Sequence, residues 1–444
     1  MNLVVICTDT FRADYMGCYG NDWIETPNLD RFAERSIVFE SAWGESLPTV
    51  QARRVYFTGR SLLPYDEDEV QPKGVYPPLP GWMPLEEDDV SLSEVLKEQG
   101  YFTGLVTDLW HYFKPAMNLH RGFDTWEFIR GQESDPWKSA PEGTFDTRQY
   151  VPEHMWDERV HERLSQYLRN TQDFHSEEDY FCARTFRTAG RWLENNADKR
   201  PFFLWVDTFD PHEPFDCPPD YAAKYHDDYP CERFIFLYGI AQENIREEDI
   251  PAIRGMYCGL LTLVDRWAGH LLNTIERLGL LEDTIVVFTT DHGTEFGEHG
   301  HVQKDAHLLH PPCVRLPLII HHPDPALESR RVTEFASAVD LMPTLLNQLG
   351  VEGPHRMTGR DVWPTVEGEA VRDHVVSGFG WWGSVRTGEW NYIFPTRRED
   401  ADEPGRLFHR TEDPDEMDDV ADQHPDVVKE MRRLAAETWP HLRP

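Results

Sequence analysis

Acidic and histidine side chains follow two apolar segments of the sequence, and their types suit a divalent cation. The segment LVVIC (3–7) leads into Asp9, and IVVFTTD (285–291) ends in Asp291, which His292 follows. Two carboxylates and one imidazole form a suitable ligand set for a divalent metal ion. A single Asp after a strand is more often a helix N-cap, so the joint set rather than any one residue predicts a metal site.

Two further polar residues have side chains that could act on a bound anion. PFFLWVDTF (201–209) runs into Asp210-Pro211-His212, and Lys304 follows the 285–291 segment closely in the chain. Taken alone, His212 would more often be a hydrogen-bonded structural histidine and Lys304 a surface lysine. Because ligands bind beyond the carboxyl ends of the strands in open α/β sheets, we expect the chemistry at that edge of the sheet.

Strands alternate with helices through the first 350 residues, which predicts an α/β fold with a large mixed, mostly parallel sheet sandwiched by helices. Thr26 is expected as the N-cap of a helix that starts at Pro27. Ser91 or Ser93 is expected to cap a helix that Gly100 ends. Strands are also predicted at 3–7, 101–108, 201–209, 285–291 and 317–320, and helices at 184–196, around 253–278 and at 340–350.

The pattern changes after about residue 370. Hairpin-like runs such as VVSGFGWWGSVRTGEWNYIF (375–394) precede a helix near 426–438, which we interpret as a small C-terminal antiparallel α+β domain. The sequence thus predicts a catalytic α/β domain at 1–368 and a small domain at 369–444. Region 112–183, rich in Trp, Pro and charged residues, has no fold that the sequence alone assigns.

Composition excludes several classes of protein. The 79 acidic and 43 basic residues give a formal charge of −36, which argues against non-specific nucleic-acid binding. The absence of a basic n-region, a long apolar stretch and a cleavage site predicts neither a signal peptide nor a membrane span, so a cytoplasmic location is expected. The seven cysteines are scattered without a C-x-x-C pair, which favours reduced thiols. An anionic substrate would need a local positive patch or a metal to overcome the overall charge.

The segment TVQARRVYFTGR (49–60) resembles the sulfatase signature, C/S-x-P-S/A-R-x-x-x-L/M-T-G-R. The residues in register with it are Ala52, Arg53, Thr58, Gly59 and Arg60. Other landmarks follow in the family's order: TDTFRADYMGCYG, TPNLDRFAERSIVFESAW, GYFTG, PFFLWVDTFDPHEPF, TIVVFTTDHGTEFGEHG, RLPLIIHHP and LFHRTEDPDE. The chain is therefore similar to the sulfatase branch of the alkaline phosphatase superfamily over nearly its whole length. The resemblance implies a large α/β sandwich with a small antiparallel C-terminal domain.

The chain departs from the family at the nucleophile. Sulfatases have a Cys or Ser there that a maturation enzyme converts to formylglycine, whereas this chain has Thr49, with Gln51 in place of the expected proline. Threonine cannot be converted by that route, so the resemblance implies an unmodified Thr49 alkoxide. Threonine fills this position in nucleotide pyrophosphatase/phosphodiesterases and phosphoethanolamine transferases. Thr10 replaces a usual metal-binding Asp, so the site resembles the phosphonate monoester hydrolase type. One divalent ion is implied, with Mn²⁺ or Zn²⁺ plausible beside Ca²⁺ or Mg²⁺.

The resemblance also assigns roles around the nucleophile. The metal would be held by Asp9, Asp291, His292 and the Thr49 hydroxyl, with Arg53 steadying the alkoxide.

Donors to the substrate oxygens are also implied. Lys304 and His212 would stabilise the charge that develops on the reacting group. The family's G-K-W-H reads Thr107-Asp108-Leu109-Trp110-His111 here, so His111 is carried over without the lysine. The leaving-group acid stays open between His212 and His111.

Further arginines and tryptophans of the same region are candidates for the pocket wall, although packing is the commoner role of the tryptophans: Arg121, Arg130, Trp126 and Trp137.

The single hydroxyl of Thr49 bears on the substrate class. Formylglycine has a second hydroxyl that lets a sulfated intermediate collapse without a second attack at sulfur. Thr49 lacks it, so water must attack the central atom, as in phospho-enzymes. The sequence therefore favours a metal-dependent hydrolase of phosphate diesters, phosphonate monoesters or related phosphate and sulfate esters, acting on a small anionic ester. The alternatives are a sulfuric ester hydrolase without formylglycine and a non-catalytic anion-binding relative.

Overall fold

The computed structural model describes residues 1–114 and 116–442, so the last two residues of the predicted small domain lie outside the described residues. In chain order the strands are β1 (Asn2–Thr8), β2 (Ile37–Trp43), β3 (Ser46–Leu47), β4 (Phe102–Thr107), β5 (Thr125–Phe128), β6 (Phe202–Asp207), β7 (Thr284–Thr290), β8 (Glu295–Phe296), β9 (Val302–Gln303), β10 (Arg315–His321), β11 (Arg330–Val332), β12 (Ala336–Ser337), β13 (His374–Phe379), β14 (Trp382–Thr387), β15 (Trp390–Pro395) and β16 (Arg406–His409). The α-helices are α1 (Pro27–Ala33), α2 (Thr49–Thr58), α3 (Leu92–Glu98), α4 (Glu158–Thr171), α5 (Phe181–Asn196), α6 (Pro219–Ala222), α7 (Ile250–Arg277), α8 (Pro311–Val314), α9 (Leu341–Gln348) and α10 (Pro425–Thr438).

The large sheet has the order β11-β2-β10-β7-β1-β6-β4-β5, with β12 beside β2. Strands β7, β1, β6, β4 and β5 are parallel to one another, whereas β10 runs antiparallel to both β7 and β2. The prediction of a mixed, mostly parallel sheet is therefore confirmed. Parallel neighbours bring the carboxyl ends of β7, β1, β6 and β4 to one edge.

Helices cover both faces of this sheet. Side chains of β1 alternate between two apolar clusters: Val4 and Ile6 pack with residues of α5 and α7, and Leu3 and Val5 pack with residues of α2, α3 and α9. Because both faces are buried, β1 is apolar at consecutive positions and does not alternate with polar residues. The sandwich predicted from the sequence is thus present.

The helix caps show one difference from the prediction. Ser91 forms a capping box with Glu94, and Gly100 follows α3 with φ +84°, as expected. Thr26 occupies the N-cap position of α1, but its side chain caps no backbone group of that helix. The first N–H groups of α1 donate instead to Asp265 of α7, so a tertiary contact replaces the local cap.

A second sheet contains the C-terminal hairpins. Its order is β16-β15-β14-β13-β3, antiparallel except that β3 runs parallel to β13. Strand β3 comes from the N-terminal part of the chain, directly before α2. The antiparallel C-terminal sheet confirms the predicted class of fold, and the boundary between 368 and 369 stays a proposal.

Region 112–183, which the sequence left unassigned, contains β5 at the edge of the large sheet and the long helix α4. Asp157 caps α4 by accepting from the backbone N–H of Val160.

The seven cysteines are free thiols, as predicted, and five of them are buried. Among the described residues, no helix combines the length and the apolar composition that a membrane span requires.

Candidate active site

Three adjacent parallel strands bring polar residues to one edge of the large sheet. In the register of the sheet, Thr8 of β1 lies beside Thr290 of β7, and Cys7 of β1 lies beside Asp207 of β6. The residues that follow β1 and β7, Asp9 and Asp291, therefore emerge next to each other. The structure brings together these two carboxylates as the sequence predicted.

Asp9, Asp291 and His292 form a buried cluster with the donor set of a metal site. One ligand atom from each lies within 4.8 Å of the others, and all three residues are fully buried. The His292 Nε2 atom lies 3.6 Å from Asp9 Oδ1 and 3.5 Å from Asp291 Oδ2. Its Nδ1 atom donates to the Gly293 carbonyl at 2.8 Å, and its Nε2 atom has no hydrogen-bond partner among the described residues. A buried imidazole nitrogen directed at two carboxylates fits a divalent cation.

The charge states of this cluster agree with that fit. Burial, with the nearby charge of Asp291, raises the pKa of Asp9 to about 6. Burial and the positive charge of Lys304 lower the pKa of His292 to about 3, so its imidazole is neutral. Neutral imidazole and carboxylate are the forms that bind metal ions, and a bound cation would favour the ionised form of Asp9.

Arg53 connects the cluster to β6. Its Nη1 atom donates to Asp9 at 3.0 Å and also to Asp291, and its Nε and Nη2 atoms donate to the two Asp207 oxygens at 3.2 and 2.8 Å. The same Nη1 atom lies 3.4 Å from the Thr49 carbonyl oxygen. The fully buried guanidinium thus holds three carboxylates at the base of the site.

Asp207 is a residue that the sequence reasoning missed. It accepts from the Tyr112 hydroxyl at 2.7 Å and from Trp205 Nε1 at 3.2 Å, besides its bonds from Arg53. The available signal was an acidic residue at the end of an apolar strand, the rule that found Asp9 and Asp291.

Thr49 is the first residue of α2 and lines a cavity that His212 and Lys304 also line. Pro48 precedes it at the N-cap, and Gly59 ends the helix with φ +59°, a conformation that favours glycine. Every residue of α2 is buried, so the helix is packed on all sides and fixes the position of Thr49.

His212 and Lys304 form a buried pair on the cavity wall. Lys304 Nζ lies 2.7 Å from His212 Nε2, and His212 Nδ1 donates to the Glu213 carbonyl at 2.7 Å. Burial and the charge of Lys304 hold the pKa of His212 well below its usual value. Burial alone would lower the pKa of Lys304, but electrostatic interactions with Glu213 and with the Tyr238 hydroxyl group raise it. A charged Lys304 therefore donates to a neutral His212.

His111 lies in a short 3₁₀ turn that follows β4. Its Nε2 atom is 3.4 Å from Glu133 Oε2, which also accepts from Trp110 Nε1 at 3.1 Å. The other Glu133 oxygen accepts from Arg163 Nη2 at 2.6 Å. His111 lines the same cavity as Thr49, His212 and Lys304, and the Glu133 carboxylate holds its ring there.

The cavity has a volume of about 490 Å³ and differs in one respect from the sequence prediction. Of the four further residues expected at its wall, none lines it: Arg121, Arg130, Trp126 and Trp137. Arg121 instead bonds Glu94 at 2.8 Å, and Arg130 pairs with Asp135 at 2.6 Å. Region 112–183 contributes a different set, Lys114, Glu133, Ser134, Arg159 and Arg163.

The fold and this edge of the sheet together define a class of protein. An α/β sandwich with a carboxylate and histidine cluster, a hydroxyl at a helix start and cationic donors is the arrangement of a hydrolase that acts on sulfuric or phosphoric esters.

The family follows from two matches. The model described as Sulfatase matches residues 1–351, and the model described as N-sulphoglucosamine sulphohydrolase, C-terminal, matches residues 297–438. The chain belongs to the sulfatase family, within the alkaline phosphatase superfamily, whose members are metal-dependent.

Individual relatives agree with this assignment. The multifunctional alkaline phosphatase superfamily protein PehA of Trinickia caryophylli is 25% identical over 82% of this chain and 76% of its own length. The N-acetylglucosamine-6-O-sulfatase of Bacteroides thetaiotaomicron is 23% identical over 83% of this chain and 71% of its own length. The crystal structure of the phosphonate monoester hydrolase of Agrobacterium radiobacter superposes with a TM-score of 0.78, with 21% identity over 99% of this chain and 96% of that chain. The last similarity shows a shared fold.

Proposed function

We propose that the protein is a metal-dependent hydrolase that cleaves phosphate diesters or phosphonate monoesters through a covalent Thr49 intermediate. The observation that carries the proposal is that Thr49, a residue with one hydroxyl, begins a buried helix in the cavity that Lys304 and His212 also line. A cytoplasmic location remains part of the proposal.

The proposed reaction has two in-line displacements at phosphorus. In the first, the Thr49 alkoxide forms the Oγ–P bond while the bond from phosphorus to the leaving oxygen breaks with its electron pair. The leaving oxygen takes a proton from His111, or from the Lys304 ammonium through His212 Nε2. In the second, water attacks phosphorus, the Oγ–P bond breaks, and the proton of the water returns to the acid. A threonine ester has no second hydroxyl through which to collapse, so phosphorus, which permits this second attack, suits Thr49 better than sulfur.

The chain's own groups favour these steps. Asp9, Asp291 and His292 would hold one divalent ion, with the Thr49 hydroxyl beside it, and when bound the ion would lower the pKa of that hydroxyl. Arg53 keeps the carboxylates in place, and the ammonium of Lys304 donates to an oxygen on which negative charge develops. His212, with its Nδ1–H held by a carbonyl, accepts at Nε2 from the same ammonium.

Hydrolysis of sulfate esters without formylglycine is the second candidate. Relatives whose names describe sulfatases, such as the N-acetylglucosamine-6-O-sulfatase, favour it. The fold shared with a phosphonate monoester hydrolase favours the first. A non-catalytic anion-binding role is the third candidate, and the buried His292 Nε2 aimed at two carboxylates argues against it because a lost reaction would not require that arrangement.

A matched substrate panel tests the proposal. The panel consists of four 4-nitrophenyl substrates: the phosphate diester, the phenylphosphonate ester, the phosphate monoester and the sulfate. Among them, one of the phosphorus esters should have the highest kcat/KM. Thr49→Ala should lose turnover by about a thousandfold or more, and Thr49→Ser should retain part of it because the hydroxyl remains. Metal content and circular dichroism of both variants should match the wild type.

Two results would contradict this proposal. A clear preference for the sulfate would show that Thr49 does not set the substrate class, and full activity of Thr49→Ala would remove it as nucleophile. Intact-mass spectrometry adds a third check, because residue 49 should remain threonine even after co-expression with a formylglycine-generating enzyme.

A further inference from the structure

The active-site cavity contains more positive charge than one ester group requires. One of its lining residues has a carboxylate, Glu133, and four have a cationic side chain: Lys114, Arg159, Arg163 and Lys304. The chain as a whole has a formal charge of −36, so the wall of this cavity reverses the general trend. Such a local excess of cations favours an anionic ligand.

Two of these cations already have partners. Arg163 donates to Glu133 at 2.6 Å and also to the Tyr238 carbonyl. Lys304 donates to His212 and, under the proposed function, to the group that reacts. The remaining positive charge belongs to Lys114 and Arg159.

Lys114 and Arg159 lack an anionic partner. Within residues 1–114 and 116–442, neither side chain forms an ion pair with an Asp or Glu. The Lys114 ammonium lies 4.0 Å from the centre of the Trp110 ring and 5.5 Å from that of Tyr76, so aromatic faces surround it in place of a carboxylate. Burial lowers the pKa of Lys114, and the nearby charge of Glu133 opposes this shift only in part, so compensation of the buried ammonium is incomplete. A bound anion would supply that compensation.

Arg159 reaches the cavity from the first turn of α4. It precedes Arg163 by one helical turn, so both side chains lie on the same side of the helix. The bonds of Arg163 to Glu133 and to the Tyr238 carbonyl fix that side against the cavity. Arg159 is exposed at the mouth, where an entering ligand can contact it.

The size and walls of the cavity indicate what the anion is attached to. A volume of about 490 Å³ accommodates a small organic molecule rather than a single tetrahedral oxyanion. Four aromatic rings line it and offer flat apolar faces: Tyr76, Trp82, Trp110 and Tyr238. Flat rings, whether aryl groups or sugars, pack on such faces.

We propose that Lys114 and Arg159 form a second anion-binding subsite, so that the leaving group of the substrate is an aryl or sugar ring with its own carboxylate, sulfate or phosphate group. The inference rests on the proposed function for the position of the reacting ester. It holds whether phosphorus or sulfur is the atom attacked.

A binding experiment tests the subsite without any turnover. Benzenesulfonate has one anionic group, whereas 3-sulfobenzoate and 4-sulfobenzoate have a second one on the same ring. In the metal-loaded enzyme, titration calorimetry should show that one of the two sulfobenzoates binds at least about tenfold more tightly than benzenesulfonate. The ratio should fall to about one in the double variant Lys114→Gln/Arg159→Gln, because each lost cation removes a charge-assisted contact.

Arg169→Gln is the matched control for this titration. Arg169 lies on the same helix α4 as Arg159 and does not line the cavity, and its substitution removes one positive charge against two in the double variant. The ratio of sulfobenzoate to benzenesulfonate affinity in Arg169→Gln should equal that of the wild type. The subsite would be overturned if the wild type bound all three probes with equal affinity. It would also be overturned if the ratio of sulfobenzoate to benzenesulfonate affinity were equal in the double variant and in Arg169→Gln.

Kinetics then separate this inference from the proposed function. The 3-carboxy-4-nitrophenyl ester should have a lower KM than the 4-nitrophenyl ester in the wild type, with the difference lost in the double variant, because the subsite binds the ground state and the transition state alike. If the enzyme hydrolysed neither ester but still bound a sulfobenzoate more tightly than benzenesulfonate, the proposed function would be contradicted and the subsite would be supported. Hydrolysis of both esters, with equal KM ratios in the double variant and in Arg169→Gln, would remove the subsite alone.

Discussion

The imidazole of His292 has one nitrogen committed to the backbone and one directed at two carboxylates. Nδ1 donates to the Gly293 carbonyl, which leaves Nε2 as the acceptor. A buried acceptor without a donor costs about 1–3 kcal/mol, so the arrangement is unfavourable unless a ligand completes it. Asp9 and Asp291 supply the negative charge that such a ligand needs.

Asp291→Ala is therefore expected to lose both bound metal and activity. The change removes one of three ligands and also one acceptor of Arg53, so metal content by plasma mass spectrometry should fall to background and turnover should fall with it. Asp291→Asn keeps the volume of the side chain and should show the same loss with an intact circular dichroism spectrum.

Asp198→Ala is the matched control for this change, since Asp198 is an exposed carboxylate that belongs to no group of residues able to hold a metal ion among the described residues. It should retain metal and activity. Full activity of a metal-free preparation would show that the cluster around His292 has another purpose.

The sequence predicted Asp9, Asp291 and His292 because they lie within two residues of the ends of β1 and β7, which apolar runs mark clearly. Asp207 was missed although it also ends a strand, because its function depends on Arg53, which lies 154 positions away in the chain. Local patterns identify strand ends, but they do not state which side chains meet across the sheet.

The N-terminus of helix α1 is another feature whose tertiary contact local sequence patterns do not predict. Its start at Pro27 was predictable, but Asp265 of α7 accepts from the N–H groups of Asn28 and Leu29 at 3.1 and 2.8 Å. The side chain of Asn28 adds a third bond at 2.8 Å. Since Asp265 lies more than 200 residues away, no local rule identifies it as the cap.

Asp265→Ala should destabilise the protein more than an exposed helix acid does. The change leaves three buried or half-buried donors without an acceptor, which costs about 3 kcal/mol. Asp426→Ala, at an exposed position in the first turn of α10, should cost under about 1 kcal/mol. Melting temperatures by circular dichroism compare the two, and equal shifts would show that Asp265 does not cap α1.

The same residue predicts a dependence of stability on pH. Burial raises the pKa of Asp265 to about 6, above the unfolded value of about 3.9. A raised folded-state pKa gives stability that is fully present below the unfolded pKa and is lost as the pH rises through the folded pKa. Asp265→Asn cannot titrate, so its melting temperature relative to the wild type should rise between about pH 4 and pH 6. A constant difference across that window would contradict the assigned shift.

Helix α4 and β5 were not predictable from region 112–183. Their positions depend on distant contacts, such as that of Arg163 with the Tyr238 carbonyl, and the segments between them contain little periodic structure. The arginines that α4 contributes to the cavity wall, Arg159 and Arg163, were therefore not identified, whereas Arg121 and Arg130 were named as candidates.

The two sheets share one segment of chain. Strand β3 pairs with β13 of the C-terminal sheet, and the next residues are Pro48 and the proposed nucleophile Thr49. Leu63 and Tyr65 also pack into the C-terminal cluster with Leu407 and Trp439. The C-terminal sheet therefore supports the segment that positions the reacting residue.

A chain truncated to residues 1–368 is expected to lose cooperative unfolding. The deletion removes the partner of β3 and exposes the apolar side chains of Leu63 and Tyr65. Differential scanning calorimetry should show no sharp transition, in contrast to the full chain. A sharp transition within a few degrees of the full-length value would establish 1–368 as an independent folding unit.

The cationic cavity inside a chain of charge −36 also has a kinetic consequence. An anion far from the mouth is repelled by the surface and is attracted only after it comes within about one Debye length, roughly 8 Å at physiological salt. Added salt screens the long-range repulsion more than the contact with buried groups. We expect kcat/KM for an anionic ester to rise or stay level between about 20 and about 200 mM NaCl. A steep fall of kcat/KM with added salt would contradict this expectation. It would mean that the positive charge of the cavity attracts the substrate over a long distance and outweighs the repulsion by the rest of the surface.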